Sequence, residues 1–251
     1  MTGGWVIRGL RAAADILLPR VCIVCGRKLL LGEEHVCLYC QSDIPLTRFR
    51  LLKHNPMADR FNEAIQRQLE ASEDPACERY AYALSLFFYD SYSDYRHIPY
   101  QIKYHGNIKA GGYFGQMLGC EVAAAPWLGD VDVIIPVPLH WRRRWSRGYN
   151  QAEIIARGVS EIVDIPVRTD ILTRLRHTRT QTKMDVPQKA ENVDGAFMAA
   201  CPNGVTFRHI LLIDDVFTSG STLMACFMAL REVFPSGVRI SVATLAFVGG
   251  V

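Results

Sequence analysis

Three short runs constrain this 251-residue chain more than anything else in it: "DVDVIIPVPL" from Asp130, "HILLID" from His209 and "VRISVATLAF" from Val238. Each is rich in β-branched or aliphatic residues and apolar on both alternating faces of its centre, which suits a strand covered from both sides. Between and around them lie helix-like patterns: "AGGYFGQMLGCEVAA", "NQAEIIARGVSEIV" and "STLMACFMALREVF". Strands alternating with helices predict an α/β fold whose mainly parallel sheet is flanked by helices. Upstream, "ADRFNEAIQRQL" reads as a helix, "YALSLFFYD" as a strand and "YRHIPYQIKYHGN" as a helix running into a Gly-Asn turn; "IPVRTDILTRL" reads as extended. In such a sheet, ligands bind at the carboxyl ends of the strands.

"HILLID" ends on Asp214 and is followed at once by Asp215, and the next residues are "VFTSGST". Thr218, Ser219, Gly220, Ser221 and Thr222 offer successive backbone N–H groups and hydroxyls just before a helix, a suitable cradle for a phosphate. Two carboxylates would repel that phosphate. They therefore suit another part of the same ligand, either vicinal sugar hydroxyls or a Mg²⁺ ion between them. The alternative is a plain N-cap, in which a Thr or Ser side chain closes the helix start. Gly220 is expected to let backbone approach a phosphate, and Gly220→Val to remove binding without unfolding the chain.

Cys22, Cys25, Cys37 and Cys40 form C-x2-C-x11-C-x2-C. Two such pairs can point four thiolates at one ion, which makes a structural Zn²⁺ site with no open position for substrate. Two disulfides would be the alternative, disfavoured in a reducing compartment. The other four cysteines are scattered, and those in helical patterns read as small hydrophobes. The N-terminal "MTGGWVIRGLRAAADILLPR" is interrupted by charge and reads as an amphipathic helix stopped near Pro19, not as a signal peptide. No apolar run is long enough to span a membrane, so a cytoplasmic location is the default. The organisation expected is a helix and zinc module over 1–45, a helical linker over 46–79 and an α/β domain over 80–251.

A net charge of +3 with 21% charged residues does not by itself point to nucleic acid. One cluster does raise it: "HWRRRWSRGYNQ" sets Arg142, Arg143, Arg144 and Arg147 beside Trp141, Trp145 and Tyr149. Phosphate neutralisation with base stacking is one reading. Capture of a pyrophosphate is a second. A solvated helix start with its aromatics packed inward is a third.

In order and spacing, the cysteine quartet, "IKYHG", "IIPVPLH", "RGYNQA", "RHTRTQTKM", "ENVDGAF" and "LLIDDVFTSGST" resemble the ComF family. These competence proteins join a four-cysteine knuckle to a type I phosphoribosyltransferase domain. The resemblance implies that Asp214 and Asp215 hold the ribose hydroxyls of phosphoribosyl pyrophosphate (PRPP) and that residues 218–222 hold its 5′-phosphate. It implies that Pro138, Leu139 and His140 form the pyrophosphate-side loop. The segment from Arg176 to Asn192, with Lys183, would close over the site. Where the family often has Arg three residues before that Asn, this chain has Lys189, which keeps the charge but loses a bidentate fork. Two functions follow as expectations: Mg²⁺-assisted phosphoribosyl transfer, or an accessory role in DNA uptake that keeps the fold, with single-stranded DNA and a helicase-like competence protein as partners.

Overall fold

The computed structural model describes residues 19–70, 78–175, 195–201 and 205–249. The expected helix before Pro19 lies outside these residues, and so do Arg176 and Lys183. In chain order the elements are α1 (Leu38–Ser42), α2 (Pro56–Glu70), β1 (Ala83–Phe88), α3 (His97–Tyr104), α4 (Ile108–Ala123), β2 (Val133–Pro136), α5 (Trp141–Arg147), α6 (Gln151–Val163), β3 (Leu172–Arg174), β4 (Phe197–Ala199), β5 (His209–Phe217), α7 (Ser221–Arg231) and β6 (Arg239–Phe247).

The protein is α/β. Its main sheet has the order β1-β6-β5-β2, and every neighbouring pair is parallel. The apolar strands demand cover on both faces and receive it. On one face Phe114 and Leu118 of α4 and Ile155 and Val159 of α6 join a core with Leu84, Leu211 and Ile213. On the other, Phe61 and Ile65 of α2 and Phe227 and Leu230 of α7 pack with Ile210, Leu212 and Val242. The glycines of "AGGYFGQMLG" have a packing reason. A β-carbon on Gly115 would lie 2.6 Å from the Ile155 carbonyl, and one on Gly158 would lie 2.5 Å from that of Gly112. The backbones of α4 and α6 therefore touch.

The connections decide where a ligand can enter. After β2 the chain crosses through α6 on one face and returns beside the outer edge of β2, where Val167 bridges Ile134 in parallel. After β5 it crosses through α7 on the opposite face and returns as β6. The two connections leave in opposite directions, so a crevice opens between the carboxyl ends of β2 and β5. The register shows the parting. β2 pairs with β5 only as far as Pro136 opposite Ile213, whereas β5 stays paired with β6 to Phe217 opposite Phe247. The expected strand end at Asp214 is thus corrected. β5 runs on to Phe217, and the acidic pair lies on a stretch bonded along one edge only.

Candidate functional site

Strand alternation sends Asp214 and Asp215 to opposite faces of β5. Asp215 is buried, and its Oδ2 lies 3.0 Å from the Nζ of Lys103 on the last turn of α3. The charge of Asp215 holds the Lys103 ammonium above its ordinary value, against the cost of burial. Lys103 thus reaches across from α3 to the acidic pair. Asp214 is half-buried, and its Oδ1 accepts the N–H of Asp215 at 2.8 Å. Burial first, and then the charge of Asp215, push Asp214 up to about 7. The buried Cys226 thiol is also raised, by burial and then by the charge of Asp214.

Beyond Phe217 the loop turns outward. Thr218 and Ser219 are exposed, Gly220 is buried, and Ser221 and Thr222 are half-buried at the start of α7. Gly220 itself holds the N-cap position, with φ 79° and ψ −2°, and has no side chain to cap the helix. The N-cap is thus a glycine, not the Thr or Ser weighed from the sequence, while the hydroxyl of Ser219 accepts the N–H of Ser221 at 3.5 Å. The hydroxyls of Ser219 and Ser221 lie 2.6 Å from each other. The start of the loop is anchored from α2: Arg60 donates to the carbonyls of Thr218 at 3.3 Å and Val248 at 2.9 Å. Nothing in the sequence singled out Arg60. The expected behaviour of Gly220→Val is also corrected. Its φ is strained for any L side chain, and a β-carbon would lie 2.8 Å from the Phe217 ring, so the change would cost stability as well as any ligand.

The turn Pro138–Leu139–His140 is set beside the acidic pair by the residue before it. The N–H of Val137 donates to the carbonyl of Ile213 at 2.9 Å, and the Asn150 side chain donates to the carbonyl of Val137 at 3.0 Å. Pro138 and Leu139 are half-buried. His140 is buried and caps α5, its Nδ1 accepting from the N–H of Arg142 at 3.2 Å. "RGYNQA" is likewise structural in part. Gly148 ends α5 in the left-handed region, Tyr149 donates to the carbonyl of Ile102, and Asn150 caps α6.

No residue of α5 is buried. Trp141 is 62% and Trp145 90% exposed, so of the three aromatics only the half-buried Tyr149 turns inward. Arg142 stacks over the Trp141 ring at 5.2 Å. Arg147 turns toward α3 and covers the Tyr104 ring at 5.2 Å.

The four cysteines converge as the spacing predicts. Their Sγ atoms all lie within 4.8 Å of one another, and Cys25 and Cys37 are 3.8 Å apart. A tetrahedral ion with metal–sulfur bonds of about 2.3 Å needs roughly 3.8 Å between sulfurs, whereas a disulfide needs about 2 Å. The cluster can thus hold a metal ion. Burial raises the Cys22 thiol, but the N–H groups of Cys25, Cys37 and Val24 outweigh it and hold the thiol at about 7. Gly26 turns the first pair at φ 71°. Glu33, unremarked in the sequence, braces the loop between the pairs: its carboxylate accepts the N–H groups of Leu30 at 2.7 Å and Leu38 at 2.8 Å. His35, beside the cluster, is half-buried, with its ring 5.5 Å from that of Tyr113 on α4.

No helix among the described residues is long and apolar enough to cross a membrane. No family model matches the chain. It is 40% identical over 110 residues to competence protein F of Haemophilus influenzae; the match covers 43% of this chain and 48%, about half, of that relative. It is 27% identical over 223 residues to DNA utilization protein YhgH of Escherichia coli O157:H7, covering 83% of this chain and 89% of the relative. It is 29% identical over 117 residues to competence protein ComFC of Bacillus subtilis, covering 46% and 44%.

Proposed function

We propose that this chain is a ComF-type, phosphoribosyltransferase-like protein that binds PRPP with Mg²⁺ and serves DNA uptake or use. The observation that carries the reading is the join of β5 to α7. There a helix start with glycine, Gly220, at its N-cap lies within a few residues of two carboxylates, in the crevice between β2 and β5. The backbone N–H groups of residues 218–222 would take the 5′-phosphate. Asp214 and Asp215 would take the ribose hydroxyls and any Mg²⁺ bridged through them. The acidic pair suits a cation, since Asp215 already pairs with the Lys103 ammonium. The ion, when bound, would offset charge on the departing pyrophosphate. The turn 138–140 would border the pyrophosphate, with Arg176 and Lys183 offered from the segment beyond β3. A cytoplasmic protein with a structural Zn²⁺ in its cysteine cluster completes the proposal.

Isothermal titration with PRPP and Mg²⁺ tests it, with pyrophosphate release measured across candidate acceptors. Binding at micromolar to millimolar concentration is expected. No heat at millimolar PRPP would overturn the reading.

The exposed tryptophans of α5 favour a second activity. With Arg142 they form a stacking and charge surface suited to single-stranded DNA, and the names of the relatives point the same way. Binding should weaken steeply with salt. Arg142→Ala should lessen the slope by about 0.7, the value for one phosphate of a single strand. Trp145→Ala should weaken binding at every salt concentration and leave the slope alone. Equal affinity in wild type and both variants would remove α5 as the contact. A helicase-like competence partner belongs to this second activity and would be sought by co-purification.

A further inference from the structure

Arg60 does more than tie down the end of a loop. Its neighbour Phe61 packs edge-on against the rings of Phe217 and Phe227, at 6.4 and 5.9 Å, which fixes this turn of α2 against the end of β5 and the face of α7. The Arg60 guanidinium lies over the Phe247 ring at 5.2 Å. From there one nitrogen, Nη1, donates to the carbonyls of both Val248 and Thr218. Just before this point the N–H of Val248 donates to the carbonyl of Phe217 at 2.8 Å, across from β6 to β5. Arg60 therefore continues the β5–β6 ladder by one side-chain rung.

The consequence is directional. In a regular strand successive carbonyls point to opposite neighbours. Here the carbonyls of Phe217 and Thr218 both turn toward the β6 side, the first to Val248 and the second to Arg60. Each peptide is planar and trans, so its N–H points opposite to its carbonyl. The N–H groups of Thr218 and Ser219 then both face away from β6, toward the β2 side where the crevice opens. Gly220, at φ 79°, carries the turn on into α7. Successive N–H groups aimed one way in a turn form an anion-binding nest.

We propose that Arg60 is a positioning residue for the phosphate site: by holding the Thr218 carbonyl it aims the Ser219 N–H at the ligand's phosphate. It acts through the peptide and not through its own charge. Arginine suits the task, because one planar guanidinium can serve two carbonyls while stacked on a ring. Since α2 precedes the whole sheet in the chain, the expected linker becomes part of the site's construction. The role rests on the proposed phosphate site, and the test separates the two.

Inorganic phosphate is titrated into the isotope-labelled full-length protein while the Thr218 and Ser219 amides are followed by NMR. In the wild type both amide protons should move downfield as charge-assisted bonds form. Arg60→Ala should lose the Ser219 shift and bind phosphate about tenfold or more weakly, the loss expected of one hydrogen bond to a charged oxygen. Because the effect is one of aim, that ratio should hold at low and at high salt. Arg60→Lys, which keeps a donor on the same helix turn, should recover part of the affinity and of the Ser219 shift. Arg67→Ala removes a charge from the exposed side of α2, where Arg67 donates only to the carbonyl of Glu63 at 3.2 Å, and should change neither. Wild-type phosphate affinity in Arg60→Ala, even with a lowered melting temperature, overturns the positioning role and leaves the phosphate site standing. A loss that fades at high salt marks a direct charge contact and also overturns it. Wild-type amides that ignore phosphate overturn the phosphate site, and the positioning role with it.

Discussion

Exchanging both Asp214 and Asp215 for asparagine should weaken PRPP with Mg²⁺ by at least about a hundredfold. Each carboxylate offers charge-assisted acceptors of about 1.5–3 kcal/mol, and two of them account for two decades or more. The stability effects of the two changes should have opposite signs. Asp214 is raised from 3.8 to about 7, chiefly by burial. The native state therefore holds a proton that the unfolded chain has released, and the folded protein loses stability as pH rises from about 4 to about 7. Above that range the loss is complete. Asp214→Asn removes it, so its melting temperature should exceed the wild type by a margin that grows between those pH values and then levels off. Asp215→Asn instead takes the partner from Lys103 and should not stabilise. Melting curves across pH, with titration of PRPP, measure both effects. Unchanged affinity in the double variant would remove the acidic pair from the site. A lower melting temperature for Asp214→Asn at pH 8 would show that its carboxylate is structural. A change at Asp214 that stabilises the fold while the pair of changes weakens binding is what a functional carboxylate predicts, because the site holds a charge that folding alone disfavours.

The pattern that made the fold legible was local. Strands apolar on both faces could only sit inside a covered parallel sheet, and the sequence of "HILLIDDVFTSGST" placed its carboxylates and loop near a strand end. Cysteine spacing was equally readable, since two C-x2-C turns leave little choice of geometry. What could not be read lies in contacts between distant residues. Lys103 reaches Asp215 from α3, and Arg60 ties the β5–α7 loop from α2. The length of β5 was misjudged because a strand end depends on its neighbours: β6 carries the ladder to Phe217 after β2 has turned away. The tryptophans of α5 were ambiguous for a similar reason. An Arg-Trp helix can bury its rings only if an element is there to receive them, and none meets this face among the described residues.

The other large effect expected is loss of the metal. About one zinc ion per chain should be found by elemental analysis, and Cys37→Ser should abolish it. Cys120→Ser, at an exposed thiol outside the cluster, should retain it. From the sequence alone such a loss would loosen only the N-terminal segment. The packing argues for a wider effect. Cys22, Val24, Val36, Cys37 and Cys40 share one apolar cluster with Leu86, Tyr95, Ile98 and Phe114, and the Tyr95 hydroxyl donates to the Cys40 carbonyl at 2.8 Å. Structural zinc in small modules contributes about 10–16 kcal/mol, as much as the whole stability of a typical domain. Unfolding the knuckle would expose the side of that cluster toward β1 and α3, and α3 carries Lys103. Stripping the ion with a chelator should therefore lower the main melting transition by roughly ten degrees or more and weaken ligand binding at a site to which no cysteine of the cluster belongs. A metal-free protein with an unchanged melting curve would show that the four thiols hold no ion. A zinc-loaded protein that loses only a small early transition on chelation would show that the knuckle folds apart from the sheet.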